Sequence, residues 1–492
     1  MTRGEACPGA SRTRARPLDG QSVQSIKSPK RDPQPLLRVV AAALVAALPV
    51  SALAETLESA LARAYSGNPS LDAQRAAVRA TDENVPRALS GYRPSVSASG
   101  TIGASYATGV TTSSLTGSDV NFRRNLFPGS VGLNINQNLF NGFRTSNSVR
   151  QAESQVLGAR ETLRNTEQST LFSGAQAYMN VLRDTAILDL QRNNVEVLEE
   201  QLRQTRDRFN VGEVTRTDVA QAESRLAAAR SQVSVAEGNL QASIAIYRQV
   251  VGVEPRQLAP GRPVDRLVPR TLASAVQIGL EEHPAVISAL HAVDVAELQV
   301  KVTEGELAPT VNIVGQVNQG FESSFPGDQT TSATIAGQIS VPIYTGGEVY
   351  ARVRQAKETA GQRRIEAEAT RDQVRAAVIS SWGQLESSKA NVQAAQAQVA
   401  AAEVALTGVR EEARVGQRTT LDVLNQQQEL LNARVNLITA QRDRVVASFS
   451  VVQSIGRLSA QSLRLNSAIY SAKQHFDQVK DLPWGLRTPD GR

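Results

Sequence analysis

The chain contains 492 residues, and its aromatic fraction of 4 % is low for a protein built around one large globular core. The formal net charge is +6, but residues 1–54 carry eight Lys/Arg and three Asp/Glu, so the rest of the chain holds 45 basic and 44 acidic side chains. This nearly neutral body gives no support to a nucleic-acid-binding function, and long stretches rich in Ala, Gln, Val, Arg and Glu favour long helices instead.

Residues 1–54 are predicted to be a cleavable export signal. Basic residues precede the apolar run LLRVVAAALVAALPV, and Ala52-x-Ala54 before Glu55 is typical of a cleavage site. An uncleaved membrane anchor is the alternative, but the run is shorter than the roughly 20 apolar residues that a spanning helix needs. The only cysteine, Cys7, lies in this leader, so we expect no disulfide and no thiolate metal site in the mature chain.

The remainder of the chain is an internal duplication. In the first part of each copy, equivalent residues of the two copies are 215 positions apart, as Asn68-Pro69 and His283-Pro284 show. Further along the offset is 204 residues, and RFNVGEVTRTDV, from 208, corresponds to EARVGQRTTLDV, from 412. The predicted organisation is a first repeat over 55–252, a proline-rich linker over 253–270, a second repeat over 271–456 and a C-terminal equatorial or disordered tail over 457–492.

Two long helices are predicted in each repeat. Proline is absent from 147–209 and from 348–413, and partner helices follow each VG turn, over about 217–251 and 421–455. Apolar residues in the first partner helix recur every seven residues, at Val219, Leu226, Val233 and Leu240. A seven-residue repeat with many alanines predicts close coiled-coil packing.

Four amphipathic strands are predicted near 95–107, 130–140, 310–321 and 332–344. One face of each strand is apolar, and the other carries Asn, Gln, Ser and Thr rather than charges, as in SVGLNINQNLF. Aromatic residues cluster near the strand ends, which is typical of membrane barrels. Half-buried strands of a sandwich are the alternative, but the sequence offers no second sheet to cover the apolar faces.

Four strands cannot close a barrel, because the smallest membrane barrels have about eight and every backbone group in lipid must be paired. Three chains would supply twelve strands. The predicted fold class is therefore mainly α with a membrane β-barrel. It is a trimeric, twelve-stranded barrel with four strands per chain, continued by a long α-helical coiled-coil tunnel and internally duplicated.

The sequence resembles the TolC family of bacterial outer-membrane channels for multidrug efflux and type I secretion. The resemblance is carried by RFNVGEVTRTDVAQAES, its second copy ARVGQRTTLDVLNQQQEL, VPIYTGGEV at the second barrel exit, and the duplication, over about 55–460. It implies a passive homotrimeric exit channel without catalysis or cofactor. Implied partners are outer-membrane lipid, a periplasmic adaptor (membrane fusion protein) and an inner-membrane transporter of the ABC, RND or MFS type.

The resemblance also implies a gate at the periplasmic turns of the helical hairpins. Asp422 matches an acidic ring of the family, whereas the family's second acidic position falls on Asn425. We therefore expect three carboxylates per trimer and weaker cation binding at the mouth. Links between hairpins close the family's gate: Arg418 matches the arginine of these links, and Thr217 and Asp218 match its partners.

One of these links is predicted to be missing, because the family's tyrosine falls on Ala413. The turns implied to dock the adaptor are Val211, Gly212, Val415 and Gly416. Structural roles are open for the same residues. Thr-x-x-Asp precedes each partner helix as a capping-box variant, and glycine is a common helix C-cap.

Two other classes of protein compete with a channel. A periplasmic coiled-coil adaptor or scaffold without a pore would share the leader and long helices, but not the paired amphipathic strands. A secreted enzyme is disfavoured because the three histidines lack metal-ligand spacing and no Gly-rich phosphate loop occurs. The cargo stays open among drugs, metals, siderophores and a secreted protein.

Overall fold

The computed structural model describes residues 54–115 and 117–491. The predicted export signal lies outside the described residues, apart from Ala54. The helices are α1 (Leu57–Gly67), α2 (Pro69–Asp82), α3 (Asn84–Leu89), α4 (Arg144–Asn210), α5 (Arg216–Val251), α6 (Leu272–Glu282), α7 (Pro284–Glu304), α8 (Glu348–Arg414), α9 (Thr420–Ser454) and α10 (Ala472–Val479). The strands are β1 (Ser95–Ile102), β2 (Ser105–Thr112), β3 (Asp119–Leu126), β4 (Gly129–Asn141), β5 (Thr310–Phe321) and β6 (Gln329–Ser340).

The duplication is visible in the local structure. Helices α4 and α8 are both 67 residues long, which corresponds to about 100 Å each. Asn68 and His283 occupy equivalent N-caps, and each accepts a hydrogen bond from the first turn of a helix that begins with proline. One ion pair between the helices of each hairpin also has an equivalent in the other hairpin. It is Arg230–Glu199 in the first and Arg434–Glu403 in the second, both at 2.7 Å.

The long helices form two antiparallel hairpins, α4–α5 and α8–α9, whose contacts are leucines, valines and alanines. Leu202 and Leu226 are buried between α4 and α5, and Leu406 and Ala433 are buried between α8 and α9. Burying one such leucine side chain stabilises the fold by about 1.5–3 kcal/mol. Leu424 of α9 joins the α4–α5 cluster, so the two hairpins also pack on each other.

The sheet has the order β1-β4-β5-β6, and every neighbouring pair is antiparallel. Ile135 of β4 pairs with Val96 of β1 and Gly315 of β5, whereas its neighbour Asn134 pairs with Ser97 and Gln316. The next rows repeat this pattern: Ala98, Leu133, Val317 and Ala333 on one face, and Ser99, Gly132, Asn318 and Ser332 on the other. The apolar face is exposed in the single chain, where Ile335 has 85 % of its surface accessible.

Two strands differ from their predicted bounds. The strand predicted over 95–107 is interrupted at Gly103, after which β2 and β3 form a separate hairpin within what was expected to be a loop. The strand predicted over 332–344 ends at Ser340. Pro342 follows, and proline has no N–H to donate to a strand ladder, so the ladder does not continue to Tyr344.

The largest hydrophobic cluster lies where α1, α2, α4, α5, α9, the linker and the tail meet. At its centre the Tyr178 hydroxyl lies 2.6 Å from the carbonyl oxygens of both Glu55 and Ala259, and the Tyr247 hydroxyl donates to the Glu55 carboxylate at 2.9 Å. Leu458 of the tail is fully buried here. The linker and the beginning of the tail are therefore parts of the core, fixed at mid-length of the helical region.

Candidate gate at the tips of the helical hairpins

Each long hairpin turns through a VG dipeptide with the same backbone geometry. Gly212 and Gly416 have φ of 80° and 78°, the left-handed region that glycine adopts without strain. The Glu213 N–H donates to the Arg208 carbonyl at 2.9 Å, and the corresponding bond in the second hairpin is also 2.9 Å long. This pairing is a Schellman C-cap, which terminates α4 and α8.

The valines of both turns point away from the packed core. Val211 is 77 % exposed and Val415 is 67 % exposed, and no atom lies within 4 Å of a Cβ built on Gly212 or Gly416. Each tip therefore presents an exposed valine side chain beside a glycine with free space around its Cα.

Each partner helix begins with a complete capping box. The Thr215 hydroxyl accepts from the Asp218 N–H, and the Asp218 carboxylate accepts from the Thr215 N–H at 2.8 Å. Thr419 and Asp422 repeat this arrangement, with the N–H to carboxylate bond at 3.0 Å. The capping role that the sequence pattern offered for both aspartates is present in the structure.

These bonds hold both carboxylates in the ionised form. Hydrogen bonds from the Thr215 hydroxyl and N–H lower the pKa of Asp218. The Thr419 N–H and hydroxyl lower the pKa of Asp422, and the positive charge of Arg418 adds a smaller contribution in the same direction. Both aspartates are therefore ionised at neutral pH.

The predicted link residues lie near one another, but Arg418 has a nearer partner. Arg418 and Asp218 line one groove of about 960 Å³ between the two hairpins, and Thr217 is not among its lining residues. The Arg418 Nε donates to Glu412 at 2.8 Å, across the VG turn of its own hairpin. Ala413 packs against the α8–α9 cluster, so a small side chain is part of the core at this position.

Asn425 makes a contact that the sequence did not reveal. Its side-chain oxygen accepts a hydrogen bond from Arg225 of α5 at 2.8 Å, which connects the second hairpin to the first. The two residues are 200 positions apart, so no local spacing indicated the pair. Arg225 corresponds to Glu429 in the second copy, so the two copies carry opposite charges at this position. This difference was the available sequence signal that the contacts of Arg225 are not repeated in the second copy.

No helix in the described part of the chain is both long enough and apolar enough to cross a bilayer. Over the same residues, no cluster of His, Cys, Asp or Glu has the geometry of a metal site. The exposed apolar face of the sheet and the paired hairpins together define a class of protein: a membrane channel element with a long helical extension.

The comparisons with known proteins identify the family. The model of the family described as outer membrane efflux protein matches residues 60–253 and 275–457, so this chain belongs to that family and is an outer-membrane protein. The outer membrane efflux protein BepC of Brucella suis is 42 % identical over 446 residues, 90 % of this chain and 94 % of BepC. The outer membrane protein TolC of Escherichia coli K12 is 25 % identical over 359 residues, 69 % of this chain and 72 % of TolC.

Solved structures show the same fold. The CmeC outer membrane channel of Campylobacter jejuni matches with a TM-score of 0.70 and 17 % identity, over 86 % of this chain and 89 % of CmeC. The predicted resemblance to the TolC family and the predicted fold class are confirmed. The family is one of efflux channels, and it supports neither the adaptor nor the secreted-enzyme alternative.

Proposed function

We propose that three copies of this chain form a twelve-stranded barrel in the outer membrane, continued by a helical tunnel that serves as the passive exit duct of an export system. One observation carries the proposal. In the described part of the chain, β1 and β6 each pair on one side only, while most of the apolar face of the sheet is exposed. Unpaired strand edges and an apolar face are both satisfied when copies close into a barrel in lipid.

The proposed barrel has a polar interior. Rows such as Ser97, Asn134, Gln316 and Thr334 lie on the face opposite the apolar one. Uncharged amide and hydroxyl groups keep a lumen hydrated without binding one sign of charge strongly. Such a duct selects little by itself, so the choice of cargo belongs to the pump that delivers it.

The proposed gate is the narrow helical end, where Asp422 of three copies forms an acidic ring. Asn425 contributes no charge to it and is held by Arg225. Three carboxylates in a narrow mouth attract divalent cations, because focused charge of one sign raises the local cation concentration. Arg418, Thr217 and Asp218 are the proposed links between the hairpins, with Glu412 as the competing partner of Arg418.

The duplication supplies a matched control for this ring. Asp422→Ala and Asp218→Ala remove the same capping carboxylate from equivalent helix starts, so both variants lose similar stability. We expect only Asp422→Ala to weaken block by divalent cations in planar lipid bilayers. Asp218→Ala removes a proposed link of the gate and should change how often the channel opens, but it takes no charge from the ring. Equal weakening of the divalent block in both variants would show that capping explains the effect, and an unchanged block in Asp422→Ala would remove Asp422 from the ring.

The proposed partners are a periplasmic adaptor (membrane fusion protein) and an inner-membrane transporter of the ABC, RND or MFS type, which supplies the energy. The VG turns are the proposed adaptor sites, because Val415 is exposed beside the open backbone of Gly416. Gly416→Glu should abolish export while the trimer still assembles. Gly416→Gln is the control, because it has the same size and the same backbone strain without the charge.

If both Gly416 variants lose export equally, strain or size explains the loss rather than charge. If either variant fails to form a trimer on size-exclusion chromatography in detergent, the turn has a structural role instead. Purified wild-type protein that is monomeric and soluble without detergent would overturn the proposal that three copies form a membrane channel. Affinity purification of the cross-linked wild-type channel from cells would identify the class of transporter bound to it.

A further inference from the structure

The C-terminal segment after α10, residues 480–491, lies beside the helical end of the sheet. Arg93 donates from its two terminal nitrogens to the carbonyl oxygens of Leu482 at 3.2 Å and Asp481 at 3.4 Å. Arg93 stands two residues before β1 begins at Ser95. The segment is thereby held at the edge where the chain enters the sheet.

Contacts on both sides of the segment fix this position. On its N-terminal side, His475 of α10 lies 2.9 Å from the buried carboxylate of Asp82, and Arg160 of α4 stacks on Phe476 at 5.0 Å. On its C-terminal side, Asp490 forms an ion pair with Arg79 of α2 at 3.5 Å. The segment is attached to α2 and α4 at two points, so its location does not depend on one contact.

Between these attachment points lie two of the most exposed large apolar side chains of the described residues. Trp484 is 87 % exposed and Leu486 is fully exposed. Exposed aromatic side chains at the same edge of the sheet include Tyr92 and Phe143. A large apolar side chain held in the open, rather than folded onto the protein, is typical of a surface that contacts another apolar phase.

We propose that Trp484 and Leu486 insert into the periplasmic leaflet of the outer membrane, at the boundary between headgroups and acyl chains. The proposal rests on the proposed function, because the exposed apolar face of the sheet sets the level of the bilayer. Tryptophan favours this boundary, since its ring is apolar and its N–H can reach polar headgroups. Arg487, next to Leu486, has the length to reach lipid phosphates from the same position.

Fluorescence quenching tests the insertion, because the chain has only two tryptophans. The other, Trp382 on α8, is partly buried against the cluster that contains Ala275 and Val378. Trp382→Phe leaves Trp484 as the only indole, and Trp484→Phe is the matched control that keeps Trp382. Both variants are reconstituted into vesicles of phosphatidylethanolamine and phosphatidylglycerol, with or without bromine atoms near the top of the acyl chains.

We expect the brominated lipid to reduce Trp484 emission by about half, because interfacial side chains lie about 5–10 Å below the headgroup surface. Trp382 emission should be unchanged. Bromine near the ends of the acyl chains should quench Trp484 less. If neither brominated lipid quenches the emission of Trp484, the proposal is overturned. That result would indicate that a second copy or an adaptor covers the segment.

Flotation of the vesicles and single-channel currents are measured on the same samples. Protein that floats and conducts without quenching of Trp484 contradicts the insertion alone. Protein that neither floats nor conducts contradicts the proposed function. The double variant Trp484→Ala, Leu486→Ala keeps only Trp382 and should still conduct. The brominated lipids should change its tryptophan emission no more than they change that of Trp484→Phe.

Discussion

The junction between sheet and helices should be sensitive to a single methyl group at Gly142. This residue follows β4 with φ +66°, and a Cβ added there would lie 2.3 Å from the Gly305 carbonyl oxygen and 2.6 Å from the Ala308 Cβ. Gly142→Ala therefore combines a backbone cost of about 1–2 kcal/mol with an overpacking cost of about 1–3 kcal/mol. We expect a total destabilisation of about 2–5 kcal/mol per chain.

Two other glycines separate these contributions. Gly346 is the repeat counterpart of Gly142, with the same φ of +66° but no atom within 4 Å of an added Cβ, so Gly346→Ala carries only the backbone cost. Gly305 has φ −62°, and its added Cβ would lie 2.5 Å from the Gly142 carbonyl oxygen, so Gly305→Ala carries only the overpacking cost.

Equilibrium unfolding in guanidinium chloride, followed by helical circular dichroism in detergent, compares the three variants. The losses of Gly346→Ala and Gly305→Ala should each be smaller than that of Gly142→Ala. Equal losses for Gly142→Ala and Gly346→Ala would refute the close approach of the two backbones. A Gly142→Ala variant as stable as wild type would refute the whole argument.

Two further predictions concern the hairpin tips. Arg225→Ala removes the bond to Asn425 and should raise the open probability of single channels. Arg230→Ala is the control and should leave the open probability unchanged, because the ion pair of Arg230 with Glu199 stays within one hairpin. Equal effects of the two variants would contradict the link between the hairpins. The capping carboxylates Asp218 and Asp422 have lowered pKa values in the fold, so their stabilisation is complete above their ordinary value of 3.8 and is lost as the pH falls through the lowered values. The protection factors of the amides at the tips, which correct for the pH dependence of intrinsic exchange, should therefore fall below about pH 4. A double Asp→Asn variant that shows the same pH dependence would contradict this assignment.

Much of the fold could be predicted from the sequence because its signals are repetitive. Apolar residues at seven-residue spacing predicted α5, and proline-free stretches predicted α4 and α8 to within a few residues. Alternation predicted β4 and β5 equally well, since a strand with one apolar face has a fixed period of two. Each signal occurs twice, so one copy supported the other.

The rest could not be predicted because it depends on contacts between distant residues. The β2–β3 hairpin has no counterpart in the second copy, and its Gly, Ser and Thr residues read locally as a loop. At the hairpin tips, the nearest partner of Arg418 is Glu412, and packing of the two hairpins rather than spacing along the chain decides that Asn425 meets Arg225.

The equal lengths of α4 and α8 have a consequence for how such chains can change. One residue inserted into α8 alone would displace its tip by about 1.5 Å and rotate it by about 100° relative to the tip of α4. The ends of the two hairpins would then no longer be level, and the proposed adaptor could not contact both tips evenly. We therefore expect insertions to be tolerated in the segments joining the strands, where the two copies already differ in length, and to be tolerated within the helices only in pairs.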